Sequence, residues 1–131
     1  MHPPARFKLT ESEWRSVREE MYAELIVVAK ARQIITYSDL ALRLPTAYVH
    51  PGSYAFTRLL GEVCDAEEAA GRGMICALVV SKATGIPGAG YFRGAAARGR
   101  DVSDLDRCWR EECERVFDAW ADPEAARHDD E

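Results

Sequence analysis

Apolar residues recur at spacings of three and four from Trp14 through Val17, Met21, Leu25 and Val28, which predicts an amphipathic helix ending near Ala31. Thr10-Glu11-Ser12-Glu13 opens it as a capping box, with Leu9 and Trp14 placed as the flanking hydrophobic staple. A second start signal follows in Thr36 with Asp39 three positions on, Ile35 and Leu40 as staple and Ala41 and Leu44 inward. Pro45 stops that pattern, so the second helix is short, over residues 37–44. After a connector ending in Pro51-Gly52, Ser53 caps a third helix with Phe56, Leu59 or Leu60, and Val63 inward. Gly71 and Gly73 end it.

The pattern then changes. Residues 74–82 form a short continuous apolar run closing on β-branched residues, which reads as a buried strand. Ala83-Thr84-Gly85 and Pro87-Gly88-Ala89-Gly90 are turn material, and Tyr91-Phe92 starts a returning strand. Ser103-Asp104-Leu105-Asp106 opens a last helix with Leu105, Trp109, Cys113, Val116 and Trp120 inward, stopping before Pro123. The expected architecture is α+β, a winged helix-turn-helix of three N-terminal helices, a two-stranded β-ribbon as wing, and a C-terminal helix. Residues 1–121 make one domain, and 122–131 an acidic, frayed tail.

Composition adds a partner question. The chain has 131 residues, 47% hydrophobic and 30% charged, as for a folded one-domain protein. Its 17 bases and 22 acids give a net charge of −5, which argues against nucleic acid until the distribution is examined. Residues 1–24 carry 4 bases and 5 acids, 25–100 carry 9 and 5, and 101–131 carry 4 and 12. Residues 69–100 hold Arg72, Lys82, Arg93, Arg98 and Arg100 and no acid. The acidic end reads either as a solvated tail or as a mobile polyanion competing with DNA for the basic ribbon. The N-terminal residues lack a signal-peptide apolar core, and the longest apolar run, 74–80, has seven residues against the roughly 18 of a membrane span. The expectation is a cytosolic protein without a membrane partner.

Candidate chemistry is sparse. Cys64, Cys76, Cys108 and Cys113 show no metal-ligand spacing, and the last two sit roughly 140° apart on a helix. They read as small buried thiols. His50 has no acid or nucleophile placed beside it in sequence. Pro87-Gly88-Ala89-Gly90 matches no phosphate-loop fingerprint and reads as a turn or wing tip. Nothing forms a catalytic constellation, and no cofactor or metal is implied. The residues placed for DNA are Tyr37, Tyr54, Thr57 and Arg58 around the third helix and Lys82, Arg93, Arg98 and Arg100 on and beyond the ribbon. Against these stand two plainer readings, Arg58 paired with Glu62 and Tyr37 half-buried against the first helix.

Ile35-Thr-Tyr-Ser-Asp-Leu-Ala41, Arg58-Leu-Leu-Gly61 and Leu78-Val-Val-Ser-Lys-Ala-Thr-Gly85 resemble the DNA-binding half of alkyltransferases and alkyltransferase-like proteins over about 50 residues. The resemblance implies a winged helix that binds duplex DNA and flips a base. The family's wing strand begins Pro-Cys-His-Arg-Val-Val, whereas this chain has Ile75-Cys-Ala-Leu-Val-Val80. Cys76 takes the nucleophile's place without the His that would accept its proton, so no alkyl transfer is expected. Tyr37-Ser-Asp-Leu-Ala41, Leu59-Leu-Gly-Glu62, Ala77-Leu-Val-Val80, Pro87-Gly-Ala-Gly-Tyr-Phe92 and Trp109 to Trp120 also resemble a group of small uncharacterised bacterial proteins, which supports the architecture alone. The sequence thus predicts a non-enzymatic duplex-DNA-binding protein. The second reading is a protein-interaction adaptor using the first and last helices as a dimer or partner surface.

Overall fold

A computed structural model describes residues 8–121. Helix α1 runs Glu11–Lys30 behind the Thr10–Glu13 capping box, in which both reciprocal hydrogen bonds form. Its stripe of Val17, Met21, Leu25 and Val28 is buried as expected. Strand β1 (Ile35–Thr36) leads into α2 (Tyr37–Leu42), whose cap is Thr36 accepting from the Asp39 N–H. The helix ends two residues short of the prediction, although Leu44 still reaches the core. Helix α3 (Tyr54–Ala69), capped by Ser53, buries Phe56, Leu59, Leu60 and Val63, and Gly71 follows it with φ +79°.

The expected ribbon is not formed among the described residues. Of the apolar run 74–82, Ile75–Leu78 coil into a 3₁₀ turn and only Val79–Val80 are extended, as strand β2. β2 pairs in parallel with β1, Ile35 opposite Val79 and Thr36 opposite Val80. A run buried on every side has no alternation to distinguish strand from helical turn. Tyr91 and Phe92, expected to return antiparallel, lie in helix α4 (Ala89–Ala97). There Tyr91, Phe92 and Ala95 share the buried face, and the alanines that follow favour helix over strand. Gly88 is the N-cap, and Gly99 at φ +85° ends the helix. The architecture is therefore α+β and mostly helical, with a small two-stranded parallel sheet.

The 3₁₀ turn is the centre of the molecule. Ile75, Ala77, Leu78 and Val79 are wholly buried and pack among α1, α3 and α5 (Leu105–Ala119). On α5, Cys113 and Val116 point inward as predicted, and Trp109 and Trp120 lie half-buried against the core. Leu105 does not follow: it is 45% exposed, because the first turn of α5 projects past the last core layer.

Two carboxylates are also wholly buried, Glu67 on α3 and Glu112 on α5. Glu112 accepts from the Met74 N–H at 2.8 Å, from Arg100 Nε at 3.0 Å and Nη2 at 3.2 Å, and from Arg115. Glu67 accepts from Arg72 at 2.7–3.2 Å, from Trp120 Nε1 at 2.9 Å and from the Tyr22 hydroxyl. Burial alone would raise the Glu67 pKa, but the hydrogen bonds from Arg72, Tyr22 and Trp120 outweigh it and hold the pKa below the ordinary carboxylate value. Gly73, between the two arginine-bearing turns, has φ +87°, and a Cβ there would sit 2.9 Å from Glu112 Oε2.

Candidate nucleic-acid interface

The start of α3 presents Tyr54, Thr57 and Arg58 on its exposed side. Ser53 caps this end through the Phe56 N–H at 3.2 Å, leaving Phe56 to turn inward while Tyr54 stands 76% exposed. Arg58 Nη1 donates to the Tyr54 hydroxyl at 3.2 Å and pairs with Glu62 at 3.5 Å, four residues on. That Glu62 carboxylate also accepts from Trp14 Nε1 and Arg18, each at 3.0 Å, so it divides its charge among several donors. Thr57 gives its hydroxyl proton back to the Ser53 carbonyl at 3.2 Å.

Tyr37 joins this end of α3 to the start of α4. Its ring meets Phe56 edge-on with centroids 6.3 Å apart, and its hydroxyl accepts from the Gly88 N–H at 3.0 Å. It is half-buried, packed on α3, and burial raises its pKa while the Gly88 N–H works the other way. One side chain thus ties together the N-termini of α3 and α4. Neither α3 nor α4 has an acid in its first turn, although α2, which Tyr37 begins, carries Asp39. Residues 40–61 contain no Asp or Glu, and neither do residues 69–100. These two acid-free segments are the ones Tyr37 brings together.

The four remaining basic candidates divide into two kinds. Lys82, in the turn after β2, and Arg93, on α4, are exposed, and no ion pair ties either to a described residue. Arg98 and Arg100 differ, because each is committed inside the protein. Arg98, at the C-cap of α4, pairs with Asp65 and donates to the Gly94 carbonyl at 3.1 Å. Arg100 grips Glu68 at 2.6 and 2.8 Å with one edge and Glu112 with the other, and its side chain is only 20% exposed. Lys82 and Arg93 therefore do not bracket a ribbon, and Arg98 and Arg100 do not extend one.

The other singled-out residues fall into internal roles. His50 Nδ1 accepts from the Gly52 N–H at 2.9 Å, closing its own turn. The three tryptophans of α1 and α5 all donate inward: Trp14 to Glu62, Trp109 to the Ala77 carbonyl at 2.8 Å, and Trp120 to Glu67. The outer face of α5 is charged, with Arg107–Glu111 and Arg110–Asp106 pairs. Cys76 sits in the 3₁₀ turn instead of a strand. No group of three metal-ligating side chains occurs among the described residues, and no described helix is long and apolar enough to cross a membrane. The acidic tail, 122–131, and its possible fold over the basic face lie outside the described residues.

Sequence reasoning assigned no role to Glu67, Glu112 or Tyr22 and read Arg72 only as part of the basic segment, whereas these residues form or complete the buried ion pairs. A signal was present: Glu67 lies four residues after Val63, and Glu112 three after Trp109, both on the inward stripes. Comparisons with protein-family models, curated proteins and solved structures return no match.

Proposed function

We propose that the protein binds duplex nucleic acid non-covalently through the face where the N-termini of α3 and α4 meet. The observation that carries the reading is the Tyr37 junction, which draws two acid-free helix starts together and has exposed Tyr54, Thr57 and Arg58 on one side of it. Phosphate is the chemistry such a junction suits: backbone N–H groups and helix dipoles attract anions, and Lys82, Arg93 and Arg58 add mobile cations. Arg98 and Arg100 hold the scaffold and are no part of the contact set.

The test is fluorescence anisotropy of a labelled generic duplex at about 50 mM salt, wild type against Lys82→Ala, Arg58→Ala and Arg93→Ala. With three phosphate contacts, log K falls with log salt at a slope of about −3, and each alanine removes roughly 0.9 from that slope. Binding that is absent at low salt, or indifferent to all three substitutions, overturns the proposal. Concentration-dependent mass in the absence of DNA would favour the adaptor instead.

A further inference from the structure

Helix α4 is fastened unequally at its two ends. Behind it, Arg98 pairs with Asp65 and Arg100 grips Glu68 and Glu112, so the trailing end is tied to α3 and α5 by several charged contacts. In front lies a turn in which Gly85 has φ +77° and Pro87 is buried. Among the described residues one hydrogen bond then joins this leading end to another element, from the Gly88 N–H to the Tyr37 hydroxyl at 3.0 Å. Between the two ends, Tyr91, Phe92 and Ala95 are the buried residues of α4.

Tyr91 makes that packing costly. The residue is 8% exposed, and its hydroxyl is closed off from water with no hydrogen-bond partner among the described residues. Burial pushes the phenol far above its ordinary pKa, so the group stays neutral and keeps a proton it cannot donate. A hydroxyl buried without a partner opposes docking, and it regains its hydrogen bonds to water as soon as the helix leaves the core. The Tyr91 ring meets Phe92 edge-on at 5.1 Å, a contact within α4 that does not anchor the helix to its neighbours.

We propose that α4 is a strap that opens as a unit while the rest of the core stays folded, unlatching at Gly88 and staying tethered at Arg98 and Arg100. Units of this kind open first where buried apolar contact is slight. Opening carries Gly88 away from Tyr37 and so takes apart the junction of α3 and α4. That consequence for binding rests on the face proposed above, whereas the opening itself does not. A duplex that needs the junction binds the closed form alone and holds the strap down.

Residue-resolved amide hydrogen exchange of the full chain by NMR, repeated over low urea concentrations, reads the opening. The amides of Arg93 to Ala97 should share one opening equilibrium, at least about tenfold more favourable than that of the slowest amides in α1 and α5, and with a weaker urea dependence because a strap exposes little surface. Tyr91→Phe should slow these amides about tenfold, since the open form loses the hydration of a hydroxyl that the closed form never satisfied. Tyr37→Phe should speed them about threefold by removing the latch. Free duplex at about ten times its Kd should slow them about tenfold, evenly from Arg93 to Ala97. The strap is overturned by α4 amides that match those of α1 and α5 in both rate and urea dependence, or by a Tyr91→Phe variant whose α4 exchange is unchanged or faster. Slowing by duplex that fades from Arg93 toward Ala97 would show a local cover and overturn the link between opening and binding. Wild type that binds no duplex removes the proposed face and that link together, and the urea and tyrosine results still decide the strap.

Discussion

Replacing Arg100 with glutamine tests whether that residue serves the scaffold or the nucleic-acid face. The guanidinium bonds Glu112 at 3.0 and 3.2 Å and Glu68 at 2.6 and 2.8 Å. Removing it leaves a wholly buried carboxylate with the Met74 N–H and the partly exposed Arg115 as its remaining donors. Breaking a buried pair from one side costs about 3–5 kcal/mol, and the donors that Glu112 keeps put this site near 3 kcal/mol. For a domain of this size that is a fall in Tm of about 10 °C. Urea unfolding followed by tryptophan fluorescence measures it directly, since Trp109 and Trp120 pack on the same core.

The loss should also depend on pH with a defined sign. The Arg100 hydrogen bond holds the Glu68 pKa below its ordinary value, against the opposing effect of burial. A carboxylate whose folded pKa lies below its unfolded value, about 4.3, contributes stability that is present above that value and lost as pH falls through the folded pKa. The gap between wild type and Arg100→Gln is therefore full at neutral pH and narrows below about pH 4. Arg93→Gln is the control: an exposed helix position should change stability by less than about 0.5 kcal/mol while weakening DNA binding. A loss under about 1 kcal/mol for Arg100→Gln, or a gap that does not narrow in acid, would refute the scaffold assignment.

Other expectations follow from the same contacts. Gly73→Ala meets both a positive φ and an oxygen 2.9 Å from the new methyl group, so urea unfolding should show a loss of about 2–3 kcal/mol. Trp109→Phe removes the 2.8 Å hydrogen bond to the Ala77 carbonyl and leaves that carbonyl with the weaker Cys113 thiol donor at 3.7 Å, a loss of about 1 kcal/mol by the same assay. Maleimide at neutral pH should label Cys113 far more slowly in the folded protein than in urea, since burial pushes its thiol up to about 12, read by peptide mass against time. Deleting residues 122–131 changes the net charge from −5 to −1 and should tighten DNA binding most at low salt; equal affinity of the two forms there would show the tail to be a bystander.

The helices were legible where local chemistry and burial agree. Thr10, Thr36 and Ser53 each cap the helix their sequence context predicted, because a side-chain oxygen and an N–H two or three residues on need nothing from the rest of the chain. The 3₁₀ turn and α4 were not legible. Met74 to Val80 is apolar throughout, so no periodicity chooses its conformation, and its partner β1 lies across α2 and α3 in the chain. In residues 87–92 the glycines and adjacent aromatics imitate a turn and a strand, and the alanines beyond them decide for helix.

The charge pattern had a second meaning that only the packing exposes. Glu67 and Glu112 occupy inward positions on their helices, and a carboxylate on such a stripe needs a buried cation or it must lose its charge. Those cations come from the acid-free segment itself: Arg72 reaches Glu67, and Arg100 reaches Glu112 and Glu68. Arg98 similarly meets Asp65. Three of the five bases that made residues 69–100 look like a nucleic-acid surface are thus the complementary halves of ion pairs with α3 and α5. Lys82 and Arg93 remain, both exposed and with no ion pair to a described residue. The basic segment is divided between holding the core and facing a polyanion, and substitutions should separate the two: Arg72, Arg98 and Arg100 through stability, Lys82 and Arg93 through the salt dependence of binding.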